Sequence, residues 1–282
     1  MPPRYRACPM RRVMMLLGAS LPSSTVCRYE HFQTDWYKRF FERLRLSGPD
    51  QRKSWEFAAV CAALEERGML RAGRTGLGFA VGREPLASYF ASCGVSVLAT
   101  DLVDARSARW VESNEHATAR DVIHYPDIVD KAGFEERVAF RSADMRRLDD
   151  ELGIGSYDFI WSCCAMEHLG SLQKGFDFVR ESTRFLKPGG IAVHTTEYNV
   201  SSNTRTRSRG GAVIYRQRDL EELDHLLRMD RCGVEPIDFD AGTHAYDLNY
   251  DEPPFGLPGR KHIKLKFFGY VFTSALLVIR KG

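Results

Sequence analysis

The segment Gly76-Leu-Gly-Phe-Ala-Val-Gly82-Arg-Glu-Pro85, followed by an apolar run that ends at Asp101, constrains the fold more than any other part of the chain. Glycines let a turn approach a ligand closely and adopt backbone angles that a Cβ forbids. A glycine-rich turn, a helix of about ten residues, a second strand and a terminal acid follow in the order of a nucleotide-binding βαβ unit. Asp101, which closes the second strand, stands where a carboxylate accepts hydrogen bonds from both hydroxyls of a ribose.

The alternation continues beyond that unit. Residues 95–101 read as the second strand, 137–141 as a third leading to Asp144-Met145, and 157–162 as a fourth. A helix over residues 171–186 is broken by Lys187-Pro-Gly-Gly190, which launches a fifth strand at 191–196. Strands separated by helices imply a parallel sheet with right-handed crossovers. Residues 262–268 and 270–279 alternate like β-structure and are expected to pair as an antiparallel hairpin on the sheet edge. Ahead of the sheet, Tyr29, Phe32, Trp36, Tyr37, Phe40, Phe41 and Leu44 recur at helical steps. A second helix follows Pro49-Asp50, through Trp55, Phe57, Val60 and Leu64. These helices form either a layer on the core or a lid over a substrate. The division expected is a disordered extension over 1–25, a helical cap over 26–72 and an α/β domain over 73–282.

Composition narrows the class. The 282 residues suffice for a sizeable core, and 44% hydrophobic with 27% charged content is ordinary for a globular protein. A net charge of +3 gives no reason to expect a nucleic-acid partner. The seven cysteines are irregularly spaced, with no CxxC pair, and fit a reducing cytoplasm better than a disulfide framework. Arg11-Arg12 and the apolar residues 13–19 resemble a poor signal peptide, too short to span a bilayer. The bland reading, a disordered extension on a cytoplasmic protein, is preferred, and no membrane span is expected.

The glycine loop 76–82, Asp101, Asp144, the 158–162 strand with Glu167-His168, and Lys187-Pro-Gly-Gly190 together resemble the class I S-adenosylmethionine-dependent methyltransferases. The resemblance covers somewhat under half of the chain. More narrowly, Glu167-His-Leu-Gly170 and His194-Thr-Thr-Glu-Tyr-Asn199 look like bacterial members associated with glycan or secondary-metabolite genes. It implies a Rossmann-like α/β fold: a mostly parallel seven-stranded sheet, helices on both faces and an N-terminal helical cap. S-adenosylmethionine is the implied cofactor. Gly78, Phe79, Ala80 and Gly82 would pass under its amino acid and ribose. Asp101 would bind the ribose hydroxyls, with Leu102 against the adenine. Asp144 would accept from the adenine amino group beside Met145, and Cys163 would approach the sulfonium through its backbone. A strand-end Asp that caps the next helix is the competing role for both carboxylates.

Two positions depart from the family pattern. An acidic residue is usual where this chain has Gly76, and glycine where it has Ala80. The first change removes a contact to the methionine amino group. The second adds a methyl that is tolerable only if φ at Ala80 is negative.

Methyl transfer is an in-line displacement, so catalysis rests on alignment, and a hydroxyl acceptor also needs a general base. His168, six residues past the fourth strand, is the candidate base, with Glu167 and His194 as further catalytic candidates. Some ubiquinone-pathway methyltransferases hold a divalent cation at a comparable Glu-His segment, and Glu167, His168, His194 and Glu197 would be the set here. The reading adopted has no metal. Arg205, Arg207, Arg209, Arg216 and Arg218 form either a grip for an anionic acceptor or a solvated loop. His116 falls after the second strand with no pattern that fixes its place.

An oxidoreductase of the short-chain type needs a Tyr with a Lys four residues on, which no tyrosine here has. Asp251-Glu-Pro-Pro-Phe255 is similar to a motif of amino-methylating nucleic-acid enzymes, but that motif belongs after the fourth strand, where this chain has Ser162-Cys-Cys-Ala165. The expectation is therefore O-methylation of a small molecule or sugar. An N-methyltransferase of a small amine and a non-catalytic binding protein on the same fold stand as alternatives.

Overall fold

A computed structural model of the chain describes residues 23–103 and 116–282. The expected extension over 1–25 therefore lies almost wholly outside the described residues. The chain begins with β1 (Ser24–Val26), α1 (Asp35–Arg43) and α2 (Arg52–Glu66). The βαβ unit follows as β2 (Thr75–Gly78), α3 (Leu86–Ser92) and β3 (Ser96–Asp101). Next come α4 (Lys131–Arg137), β4 (Val138–Ser142), β5 (Tyr157–Cys163), α5 (Leu172–Ser182) and β6 (Leu186–Asn199). The chain closes with α6 (Gln217–Met229), β7 (Cys232–Val234), β8 (Ile237–Asp238), α7 (Ala245–Leu248), β9 (Leu265–Phe267) and β10 (Tyr270–Lys281).

Among the described residues, all ten strands join one sheet in the order β4-β3-β2-β5-β6-β10-β1-β8, with β7 and β9 also on β10. Strands β2 to β6 are mutually parallel, and β10 runs antiparallel to β6 from Phe272 opposite Asn199 to Arg280 opposite Ile191. Strands successive in sequence run outward from β2 on one side and from β5 on the other. The order thus reverses between β2 and β5, and open α/β sheets bind ligands at the carboxyl ends of such a switch point.

The fold is the class I methyltransferase fold, with three corrections of detail. The sheet has ten strands rather than seven, because β1, β8 and β9 add short segments of two or three residues beside β10. The C-terminal segments do form a hairpin, Phe267 opposite Tyr270, but β10 lies inside the sheet rather than on its edge. Its residues 271–279 are all buried, the mark of a strand covered on both faces. Strand β1 pairs with β10 (Thr25 opposite Leu276), so the boundary drawn at 25–26 cuts through a strand.

Helices divide between the faces. Trp55, Phe90 and Phe134 of α2 to α4 pack with Phe159, Trp161 and Val193 on one face. Phe178 of α5 and Leu223 of α6 pack with Phe79, Ile160 and Leu277 on the other. Helix α2 is buried almost all round because it lies between α1 and the strands β6 and β10.

At the amino end of the parallel strands, Asp158 accepts from Arg74 Nη1 (2.6 Å), Lys187 Nζ (2.8 Å) and the Thr75 backbone N–H (2.9 Å). Burial opposes ionisation of Asp158, but Lys187, Thr75 and Arg74 outweigh it and hold the carboxyl below its usual value. Because the folded-state value is depressed, this stabilisation is present above about pH 4 and lost as pH falls through the folded value. Asp158→Ala is expected to cost on the order of 2 kcal/mol in urea unfolding at pH 7 and to flatten the acid limb of stability. Equal stability of variant and wild type at pH 7 would refute this role.

Candidate functional site

The turn after β2 is held at both ends. Phe79 N donates to Trp161 O (2.9 Å), Val81 N to Thr100 O (3.1 Å), and Thr100 Oγ1 to Gly78 O (2.7 Å). Between them Ala80 has φ +48° and Gly82 φ +52°. The expectation of a negative φ at Ala80 is thus corrected: the flanking bonds fix the left-handed turn, and the alanine adopts it at a cost of about 1–2 kcal/mol. The glycines at 76 and 78 serve a different purpose from the one expected. A Cβ at Gly76 would lie 2.5 Å from the Phe159 ring, and one at Gly78 would lie 2.4 Å from the Trp161 ring. Their absence makes room for two large aromatics of β5. Phe79 turns into the core against Phe178, ring centres 5.3 Å apart. Of the loop residues expected at the cofactor, Ala80 and Gly82 line the cleft at the carboxyl end of the sheet, whereas Gly78 and Phe79 do not.

That cleft has a volume of about 630 Å³, and Asp101, Leu102, Asp144, Met145, Cys163 and His168 share its wall with the loop. The Asp101 carboxylate accepts from the backbone N–H groups of Gly82 (3.0 Å), Leu102 (2.8 Å) and Ala117 (3.1 Å). His116 Nδ1 lies 3.2 Å from Oδ1, the oxygen that also takes the Leu102 N–H, while Nε2 of the same ring meets the Leu102 carbonyl. Burial pushes the Asp101 carboxyl up, against the pull of those donors and of His116. Asp144 is held by Arg146, whose Nε and Nη2 each stand 3.0 Å from a carboxylate oxygen. Burial pushes the Cys163 thiol well up, so its side chain stays a thiol.

The opposite half of the cleft is built from α2, the β5 end and β6. Arg52, Lys53 and Phe57 of α2 line it with Cys164, His168 and Glu197. Arg52 Nη1 pairs with Glu197 Oε1 at 2.7 Å, and Lys53 Nζ with Glu56 Oε2 at 2.8 Å. Burial pushes the Glu197 carboxyl up to about 7 despite Arg52, helped by Glu167 and Glu56 nearby. His168 Nδ1 lies 2.8 Å from the Gly211 carbonyl. A carbonyl only accepts, so Nδ1 carries a proton. Glu167 is fully buried behind the wall, receiving Thr196 Oγ1 at 3.1 Å.

His194 does not join this group. It is fully buried, contacts Ser162 Oγ (2.8 Å) and the Phe178 ring, and burial lowers its pKa to about 3. It is a neutral core histidine rather than a catalytic group. Donor atoms of Cys164, Glu167 and Glu197 come within 4.8 Å of one another, so the four-residue metal set drawn from sequence is not assembled as drawn. Arg52 already supplies positive charge beside Glu197. The arginines 205–218 do not line the cleft either: Arg216 grips Asp219 (2.7 Å), and Arg207 stacks on Phe268. In the Pro-Pro loop, Asp251 is buried and takes His262 Nδ1 at 2.7 Å, away from the cleft.

Sequence reasoning missed Arg52, Lys53 and Glu84 as cleft residues. Arg52 and Lys53 lie in the first turn of α2 and Glu84 just ahead of α3, and the start of a helix at the carboxyl side of the sheet was the available signal.

Fold and cleft together are those of an open α/β sheet with a ligand site at its switch point. Residues 77–194 match the methyltransferase-domain family, a span running from β2 into β6. That match covers less than half of the chain and marks those residues as a methyltransferase domain. No curated protein sequence matches the chain. Among solved structures, the cyclase SpnF is similar in fold at TM-score 0.52, with 18% identity over 83% of this chain and 84% of its own. The 1,6-didemethyltoxoflavin-N1-methyltransferase of Burkholderia thailandensis has a TM-score of 0.48 and 16% identity, over 99% of this chain and 93% of its own. Magnesium protoporphyrin IX methyltransferase of Synechocystis PCC 6803 has 0.47 and 11%, over 89% and 97%. Among the described residues, no helix is long and apolar enough to cross a membrane.

Ala80→Gly is expected to stabilise the protein by about 0.5 kcal/mol, relief of the left-handed alanine exceeding the added freedom of the unfolded chain. Thermal unfolding checks this, and a lowered midpoint would show that the turn tolerates the methyl without strain.

Proposed function

We propose that this chain is an S-adenosylmethionine-dependent methyltransferase that transfers the methyl group to a hydroxyl of a small molecule or sugar, with His168 as general base. One observation carries the reading: a histidine in the cleft wall whose Nδ1 is held by a backbone carbonyl, which fixes the imidazole beside the acceptor half of the cleft. A proton on an attacking hydroxyl needs such an acceptor, whereas a neutral amine needs none before it attacks. The bound cofactor supplies an electrophilic methyl on a sulfonium. Everything else falls to this chain's residues.

Ala80 and Gly82 pass beneath the cofactor's amino acid and ribose, and Asp101 takes the ribose hydroxyls. An ionised carboxylate offers about four acceptor positions. Three backbone N–H groups and His116 already occupy Asp101, so a ribose diol there shares or replaces the His116 contact. Leu102 and Met145 flank the adenine, Asp144 accepts from its amino group, and Cys163 lies at the reacting end. Arg52 and Glu197 form a paired polar handle for acceptor hydroxyls. The cleft volume of about 630 Å³ suits a small acceptor beside the cofactor, within the ~300–1,000 Å³ usual for ligand pockets.

His168→Gln is expected to lower kcat toward a hydroxyl acceptor by about 10²-fold or more while S-adenosylhomocysteine affinity holds within twofold. The assay is methyl transfer from labelled S-adenosylmethionine to panels of sugar, phenolic and amine acceptors. Turnover confined to amines and insensitive to His168→Gln would establish N-methylation instead. Tight cofactor binding with no turnover on any panel would favour a non-catalytic role on the same fold.

A further inference from the structure

Glu84 is a cleft residue without an assigned part. It stands just ahead of α3 and is only 5% exposed, yet it lines the cleft two residues beyond Gly82. The indole N–H of Trp161 donates to its Oε1 at 2.7 Å. Trp161 can lie there only because Gly78 has no Cβ, which would stand 2.4 Å from the indole ring. The same strand fills the space over Gly76 with Phe159, 2.5 Å from where a Cβ would be. A carboxylate therefore cannot be carried at position 76 without moving Phe159. The aromatic pair that excludes an acid from one side of the loop pins one on the other side.

Resting on the proposed cofactor, we propose that Glu84 receives the α-ammonium group of S-adenosylmethionine, taking over the charge that a side chain at position 76 cannot supply. Its neighbours suit the task. Trp161 takes one acceptor position, and the Cys163 thiol is the other hydrogen-bonding partner, which leaves capacity for an ammonium with three donors. Lys53, the cation of α2 that faces it, is already bound to Glu56 and does not compete. Asp101 faces it from β3 and adds repulsion when both are ionised. Burial pushes the Glu84 carboxyl up to about 8, so without a cation it holds its proton at pH 7. An arriving ammonium favours the ionised form, and the proton leaves to solvent.

The test is calorimetry at pH 7 with two ligands, S-adenosylhomocysteine and 5′-methylthioadenosine, which shares the adenosine but lacks the amino acid. Glu84→Gln keeps an oxygen for the Trp161 N–H and removes only the charge. The variant is expected to bind S-adenosylhomocysteine about 10- to 100-fold more weakly and methylthioadenosine within twofold of wild type. Retained methylthioadenosine binding also reports an intact fold. A second readout needs no variant. In buffers of different ionisation enthalpy, the wild type is expected to release up to one proton with S-adenosylhomocysteine beyond that released with methylthioadenosine; the difference cancels any contribution of Asp101 at the ribose. Unchanged S-adenosylhomocysteine affinity in Glu84→Gln, with no extra proton released by wild type, would overturn the assignment. Absence of binding by the wild type to either ligand would instead overturn the cofactor site itself.

Discussion

Glu56 has no exposed surface and sits where α2 meets the carboxyl end of the sheet. It accepts from Lys53 Nζ, from Cys164 Sγ at 3.1 Å and from Ser274 Oγ of β10. Arg52, one turn earlier on the same helix, reaches Ser274 Oγ at 3.3 Å and Glu197 at 2.7 Å. Burial alone would keep the Glu56 carboxyl protonated, but Lys53 and Arg52 outweigh it and hold the value below normal. A buried charge is tolerated only when it is paired and its remaining valences are bonded, and here both conditions are met within one turn of helix. The consequence is geometric. The first turn of α2 is fastened to β5, β6 and β10 together, and that turn forms one wall of the cleft.

This resolves the two readings of the N-terminal helices. As a layer on the core they bury Trp55, Ala58, Ala59 and Leu64 against the sheet. As cleft residues they contribute only Arg52, Lys53 and Phe57, all near the start of α2. The wall is fixed by its charges rather than by its apolar surface, since the apolar face continues well beyond the cleft. A helix held by ion pairs at one end and by aliphatic packing along its length serves as a stationary wall more readily than as a hinged lid.

The parallel half of the fold was legible because its signals are local. A glycine turn, a strand ending in Asp101, and the Lys-Pro-Gly-Gly break each occupy a few adjacent residues, and Val138–Ser142 and Tyr157–Cys163 fall within a residue of the expected limits. The antiparallel additions were not, because two- and three-residue strands carry no period. The misplacement of His194 has a definite cause. His194 and Glu197 are three residues apart on one strand, so their side chains leave opposite faces. One meets Phe178 of α5 and the other meets Arg52 of α2. A site using both was incompatible with the period of the strand that carries them. Glu84 was hidden for another reason: its role depends on Trp161, 77 residues away, and on what Gly78 lacks.

The charges divide the cleft into two halves with different appetites. On the α2 side the cations are spent, Arg52 on Glu197 and Lys53 on Glu56, so that half is polar but locally neutral. On the loop side Glu84 and Asp101 are two carboxyls that burial pushes up, with the Trp161 indole and backbone N–H groups for company and His116 beside Asp101. Keeping those acids out of water costs free energy that a positively charged ligand offsets by favouring their ionised forms. The loop half thus favours a positively charged ligand, while the α2 half favours a neutral group that hydrogen-bonds. Under the proposed function, that division would set the orientation in which cofactor and acceptor meet, before any contact with His168 is considered.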